Sequence, residues 1–250
     1  MLAAIVIVAA RRQRTLSPSG AAAGLVAGVI CTAAGWGWAL LLVTLFASAN
    51  ALSRYHHSTK VERMGDMVAK GGERDAWQVL ANGGVFSALA VASLIHPSTI
   101  WLPMAAGAVA AATADTWATE IGTLAPRPPS LITTGQPVPT GTSGGVTWLG
   151  SVAGMAGALC IAFIALAVGW GASAALAALV GGAAGSFVDS LAGATIQRRR
   201  WCERCTKPTE RLVHGCGTTT RPNGGIGWVD NDVVNAISSL TGAVVGMIWL

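Results

Sequence analysis

Three acidic side chains lie in stretches of sequence that are otherwise apolar: Asp115, Glu120 and Asp189. A carboxylate in hydrocarbon costs a few kcal/mol or more, so each of them must face a polar cavity or a partner. Asp115 and Asp189 each lie seven residues before the end of an apolar run, at 122 and 196 respectively, which is about 10 Å along a helix. Both runs lead into basic loops, so the two carboxylates belong at one depth. Asn82 is six residues into a run that leaves a basic loop at 76 and reaches the same layer. Asp230, Asn231, Asp232 and Asn235 gather where the last run begins. An oxygen-rich layer near one membrane face suits a hard cation such as Mg²⁺, typically held by one or two carboxylates together with substrate phosphates. Asp115, Asp189 and Asp232 are the candidate ligands; the alternative is that they pair with Arg from neighbouring loops and close a helix bundle. Glu120 is a fourth candidate. It lies five residues from Asp115, about 140° around a regular helix, so the two cannot point directly into one site without a helix break. Glu120 would otherwise cap the helix or bind a basic loop residue.

Groups suited to phosphate stand next to this layer. The loop PRPPSLITTGQPVPTGTSGG after Glu120 ends in Gly141, Thr142, Ser143, Gly144 and Gly145 and leads into another apolar run. Glycines allow close backbone approach, and amides at the start of a helix cradle anions. The loop lacks the Lys-Ser/Thr ending of a Walker loop, and Gly-rich helix starts also serve as packing devices. Lys70 and Arg74 flank Asn82, and Arg127 sits in the Pro-rich loop; all three could neutralise phosphate, although flanking basic residues also act as topology anchors. A separate segment, CERCTKPTERLVHGC, brings together Cys202, Cys205, His214 and Cys216. Four soft ligands match a structural Cys₃His Zn²⁺ site, with a redox-active or inert Cys-x-x-Cys as the alternative. Cys31 and Cys160 fall within apolar runs as packing residues, and His56, His57 and His96 form no ligand pattern.

The elements that must position these groups are membrane helices. Of 250 residues, 52% are hydrophobic and only 11% charged, with mean hydropathy +0.56. Soluble domains carry roughly 25% charge, so an ordinary soluble fold is excluded. The 32 Gly residues follow no three-residue period, which excludes collagen and fits close helix packing in a bilayer. Apolar runs occupy 1–10, 20–34, 36–53, 76–95, 100–122, 146–169, 172–196 and 233–250. All sixteen Lys and Arg fall in alternate connections, at 11–19, 54–75, 123–144 and 197–232. The positive-inside rule makes these loops cytoplasmic. The expectation is an all-α, polytopic transmembrane helical bundle with six to eight membrane segments, multi-pass in the cell (plasma) membrane. It forms a single domain over 1–250, with a cytoplasmic Cys/His-containing loop at 197–232 inside it. Segment 1–10 is too short to span, and 20–34 with 36–53 form either two short spans or a re-entrant hairpin around Gly35. The 123–144 segment is expected to be loop, neither strand nor helix.

Five motifs occur in order: DAWQVLANGG from Asp75, ADTWATEIG from Ala114, TGTSGGVTWLG from Thr140, GSFVDSLAGATIQ from Gly185 and WVDNDVVN from Trp228. Together they resemble the integral membrane family known as domain of unknown function ninety-two, which includes plant phytyl-phosphate kinase. More distantly they are similar to phytol kinase, dolichol kinase and CDP-diacylglycerol synthase. The resemblance implies transfer of a phosphoryl group from a nucleoside triphosphate, CTP, to an isoprenyl (prenyl or phytyl) monophosphate lipid at the cytoplasmic interface. It implies Asp115 and Asp189 as Mg²⁺ ligands with Asp232 assisting, and Asn82, Asn231 and Asn235 orienting phosphate. The loop 142–145 would hold nucleotide phosphates, while Lys70, Arg74 and Arg127 balance charge. Membrane lipids are the surrounding partner, and no nucleic-acid partner is expected. Two alternatives use the same acids: an ion-coupled transporter, hinted at by the matching strings DTWA at Asp115 and DSLA at Asp189, and a CDP-lipid-forming nucleotidyltransferase.

Overall fold

The computed structural model describes residues 7, 8, 10–69 and 72–249. Most of the expected segment 1–10 lies outside the described residues, as does Lys70. The first long helix, α1 (Pro18–Ala34), starts where Ser17 accepts a hydrogen bond from the Gly20 amide and Pro18 fills the first helical position, a donor-free place that favours Pro. Gly35 adopts φ 137° between α1 and α2 (Trp36–Arg54), so 20–34 and 36–53 form two separate helices. A short helix, α3 (His57–Met64), lies in the first large basic loop. Next comes α4 (Ala76–Ile95), opened by a reciprocal capping box between Asp75 and Gln78. It is followed by α5 (Trp101–Gly122), α6 (Trp148–Ala167) and α7 (Gly171–Thr195). The last helix, α8 (Asn231–Gly246), is capped by the Asp230 carboxylate, which accepts from the amides of Asp232 and Val233.

Among the described residues, five helices are long and apolar enough to cross a membrane: α2, α4, α6, α7 and α8 with the turn that follows it. The central helix is not among them. α5 packs against α6, α7 and α8, with α4 and α2 on its remaining side, and almost every residue from Pro103 to Ala114 is buried. Sheathed by other helices, it has no need of the large apolar side chains that face lipid. Its run of Ala and Gly serves close packing instead: a Cβ at Gly107 would lie 2.1 Å from the Gly242 carbonyl oxygen, so α5 and α8 touch backbone to backbone. The large apolar side chains gather nearer the α1–α2 turn, where Trp38 contacts both Phe86 and Trp170 at centroid distances of 5.2 and 4.9 Å.

Because the helices alternate in direction, the long connections before α4, α6 and α8 meet at one end of the bundle. Trp77, Trp148 and Trp228 stand exposed at that end, a placement that suits interfacial anchors. The connections are not wholly irregular. The 123–144 segment contributes β1 (Ser130–Leu131), paired antiparallel with β2 (Gly145–Val146), a correction to the expectation of a strand-free loop. The Cys/His loop folds as a three-stranded antiparallel sheet, with β3 (Arg200–Cys202) between β4 (Lys207–Thr209) and β5 (Arg221–Pro222). Two-residue strands are too short to show alternation, so hydropathy patterns carry no sign of them.

Candidate functional site

Where the basic connections meet the helix ends, a cavity of about 410 Å³ opens, lined by residues from α4, α5, α7, α8 and the loops between them. It takes in Asn82, Asp115, Glu120, Asp189, Asn231, Asp232 and Asn235 together with Arg74 and the whole of 141–145. Helix geometry accounts for the gathering. Asp115 on α5 and Asp189 on α7 lie within one residue of the same distance from helix ends that point the same way, and α5 and α7 make the most extensive helix–helix contact in the bundle. The two carboxyl groups interact directly with each other. Asp189 Oδ2 is buried and has no hydrogen-bond partner among the described residues. Two carboxylates at such short range, one with a buried and unpartnered oxygen, favour a proton or a cation between them. The donor set therefore fits a hard divalent cation.

The Gly-rich loop is seated directly on α7. Gly144 adopts φ +77°, and a Cβ there would lie 2.5 Å from both the amide nitrogen and the Cβ of Ala194. Only Gly satisfies both the dihedral and the approach, which brings the loop next to the helix that carries Asp189. Two amides of the expected phosphate cradle are used within the loop itself: Thr142 donates to Pro139 O at 3.1 Å and Gly145 to Thr142 O at 3.0 Å. The Thr142 hydroxyl also donates to Pro139 O, at 2.7 Å. Asn82 donates through Nδ2 to the Gln78 carbonyl at 2.9 Å, which leaves its Oδ1 as the group it offers the cavity.

The cations are distributed differently from the expectation. Arg74 lines the cavity and donates to Asn50 Oδ1 at 2.5 Å. Burial lowers the pKa of its guanidinium from the usual range, and Glu120 opposes that shift. Arg127, expected to balance phosphate charge, is exposed and is not among the residues that line the cavity. Arg198, not anticipated, lines the cavity. Glu120 reaches the cavity wall, but its carboxylate accepts from Lys60 Nζ at 2.6 Å. Lys60 is itself buried and also donates to Leu52 O at 2.5 Å. The partner in a basic loop is thus on α3.

Sequence reasoning missed Glu210. Its carboxylate lies in the cavity wall, accepting from the Ser143 hydroxyl and from Gln197 Nε2 at 3.0 Å. Burial raises its pKa above the ordinary glutamate range, against the lowering effects of Ser143 and Arg198. Gln78, Ser186 and Ser190 also face the cavity. The two serines flank Asp189 in the string SFVDS, the one signal that could have found them.

Outside the cavity, Cys202, Cys205, His214 and Cys216 converge, one ligand atom from each lying within 4.8 Å of the others.

The chain matches the family model described as Integral membrane protein DUF92 over residues 1–243. It is similar to Protein PGR of Arabidopsis thaliana, 30% identical over 267 aligned residues that cover 96% of this chain and 91% of that protein. An uncharacterized membrane protein of Methanocaldococcus jannaschii is 26% identical over 239 residues, covering 95% of this chain and 87% of its own length. A further uncharacterized membrane protein, from Synechocystis, is 29% identical over 253 residues, with coverages of 97% and 86%. No solved structure matches.

Proposed function

This chain belongs to the DUF92 family of integral membrane proteins, and from that premise we propose that it is a membrane-embedded phosphotransferase. It would move the terminal phosphoryl group of a nucleoside triphosphate, CTP, to a prenyl or phytyl monophosphate, giving a prenyl diphosphate. The observation that carries the reading is the Asp115–Asp189 pair, its buried Oδ2 unpartnered, in one cavity with a Gly-rich loop and two Arg side chains. Phosphoryl transfer asks for positioning and charge neutralisation more than for covalent chemistry, and this cavity offers those two things.

Asp115 and Asp189, with Asp232 at the start of α8, would hold Mg²⁺, which when bound neutralises charge on the transferring phosphoryl group. Arg74 and Arg198 supply positive charge on the cavity wall. Ser143 and Gly144 bring a close-approaching backbone to one side, and Asn82, Asn231 and Asn235 present amide groups that orient phosphate oxygens. The acceptor is already an anion, so no strong general base is required. The cavity lies at the end of the bundle that carries the basic connections and exposed Trp77, Trp148 and Trp228. We place that end on the cytoplasmic side of the cell membrane by the positive-inside rule. A prenyl tail would then lie along the helices while its phosphate meets nucleotide arriving from water.

The test is product analysis on protein in detergent with Mg²⁺, CTP labelled at either the γ or the α phosphate, and phytyl, geranylgeranyl and farnesyl monophosphates. Label from the γ position in a prenyl diphosphate supports the kinase. Label from the α position in the lipid identifies a nucleotidyltransferase, and no labelled lipid with any acceptor opposes both.

A further inference from the structure

The Cys/His cluster lies outside the cavity, yet its loop reaches into it. Cys202 closes β3 and is fully buried, and His214 is buried as well. The Cys202 and Cys216 sulfurs are 3.6 Å apart, and His214 Nδ1 is 3.3 Å from Cys216 Sγ. A disulfide needs about 2.05 Å, so these sulfurs are not bonded. The 3.6 Å between sulfurs matches the edge of a tetrahedron around Zn²⁺, for which bonds of about 2.3 Å to sulfur and about 2.0 Å to nitrogen give edges of about 3.5–3.8 Å, and all four ligand atoms lie within 4.8 Å of one another. A second observation points the same way. His214 turns its other nitrogen, Nε2, toward Asp66 Oδ2 at 3.6 Å, and Arg211 Nη1 donates to Asp66 Oδ1 at 2.8 Å. A carboxylate behind a metal-binding His selects the tautomer that leaves the opposite nitrogen free to ligate.

The chain between the ligands is fastened to the basic loop at 54–75. Thr209 Oγ1 donates to Asp66 O at 2.6 Å, the Glu210 amide to Met67 O at 2.8 Å, and Arg211 Nε to Val68 O at 2.9 Å. Glu210 is thereby aimed inward at Ser143 and Gln197.

We propose that Cys202, Cys205, His214 and Cys216 bind a structural Zn²⁺ ion, and that this ion fixes the segment carrying Glu210 so that it clamps Ser143 of the Gly-rich loop. The metal half of the proposal stands without the transfer reaction, and its readouts do not depend on turnover.

Metal analysis of the full chain purified in detergent should find one zinc per protein. Cys205→Ser and Cys216→Ser should each lower that content at least ~10-fold, because ligand bonds carry the binding energy. Asp66→Asn keeps all four ligands and should weaken zinc about 10-fold or more against a competing chelator. Chelated wild-type protein titrated with Co²⁺ should develop thiolate–cobalt absorption of a tetrahedral site, which needs no variant. Hydrogen exchange at 141–145 should rise about 10-fold or more in the zinc-free protein while the α5–α7 helices keep their protection. Wild-type protein that is purified folded without chelator and holds no zinc, or zinc unchanged in both Cys variants, overturns the site. Unchanged exchange at 141–145 after zinc removal overturns the clamp.

Discussion

Replacing Gly144 by Ala tests whether the seating of the Gly-rich loop on α7 sets the geometry of the cavity. The added Cβ would stand 2.5 Å from Ala194 N and Cβ and 2.7 Å from its Cα. Carbon contacts relax to about 3.5 Å, so the overlap amounts to about 1 Å, and helix backbone atoms cannot yield as a flexible side chain would. The loop must therefore lift by about that much. A misplacement of about 1 Å costs around 100-fold in rate when catalysis depends on positioning. The non-Gly residue at φ +77° adds about 1–2 kcal/mol of backbone strain. Gly135→Ala is the control, since that glycine also has positive φ, +70°, but meets nothing within 4 Å. Both variants should lose stability to strain in thermal unfolding in detergent, and Gly144→Ala should lose more because of the overlap with Ala194. Only Gly144→Ala should lose about 100-fold in kcat/KM for γ-phosphoryl transfer, or weaken nucleotide binding by calorimetry. Equal activity in the two variants would refute the claim that this contact positions the loop.

Three further outcomes follow from the same geometry. Lys60→Met leaves Glu120 partly buried without its 2.6 Å partner and should cost about 3–5 kcal/mol, while Lys60→Met/Glu120→Gln recovers most of it; unfolding of both variants in detergent measures the difference. Glu210 has its pKa raised by burial in the folded protein, so it favours the protonated form there. Its contribution to stability is complete below the ordinary glutamate range and is lost as pH rises through the raised value. Glu210→Gln should flatten that decline in a melting series against pH, and an unchanged profile would contradict it. Gly242→Ala puts a Cβ 2.3 Å from the Gly107 carbonyl oxygen and should destabilise the α5–α8 crossing by about 1–3 kcal/mol or more, whereas Gly84→Ala, with nothing nearer than 3.8 Å, should be close to neutral.

The long helices were legible because lipid solvation imposes a long apolar run on each span, and α1, α2 and α4–α8 begin and end within a few residues of those runs, whereas α3 (His57–Met64) lies in a basic loop where no such run marks it. That Asn82, Asp115 and Asp189 come together at one end of the bundle was legible too, since helical rise converts residue number into distance once direction alternates. The central position of α5 was harder to read. Its Ala-rich sequence is apolar enough to look like any other span, and only the scarcity of large side chains between Ala105 and Ala114 separates it. Loop geometry escaped altogether. Ser143 and Glu210 are 67 residues apart, and no periodicity links them. Their contact depends on how 209–211 is hydrogen-bonded to 66–68. Arg127 was assigned to the cavity by nearness in sequence, while Arg198 reaches it through the fold. Glu120 and Lys60 illustrate the same point: Asp115 and Glu120 both line the cavity from one unbroken helix, although helical angle alone set them apart, and α3 supplies the partner that holds the Glu120 carboxylate.

The account rests on Asp115 and Asp189 as a cation site, and Mn²⁺ binding followed by electron paramagnetic resonance tests it most directly. Wild-type protein with CTP should bind Mn²⁺ and release it to excess Mg²⁺. Asp115→Asn and Asp189→Asn should each abolish that binding while remaining folded in detergent. Undiminished Mn²⁺ binding in both variants would contradict the account.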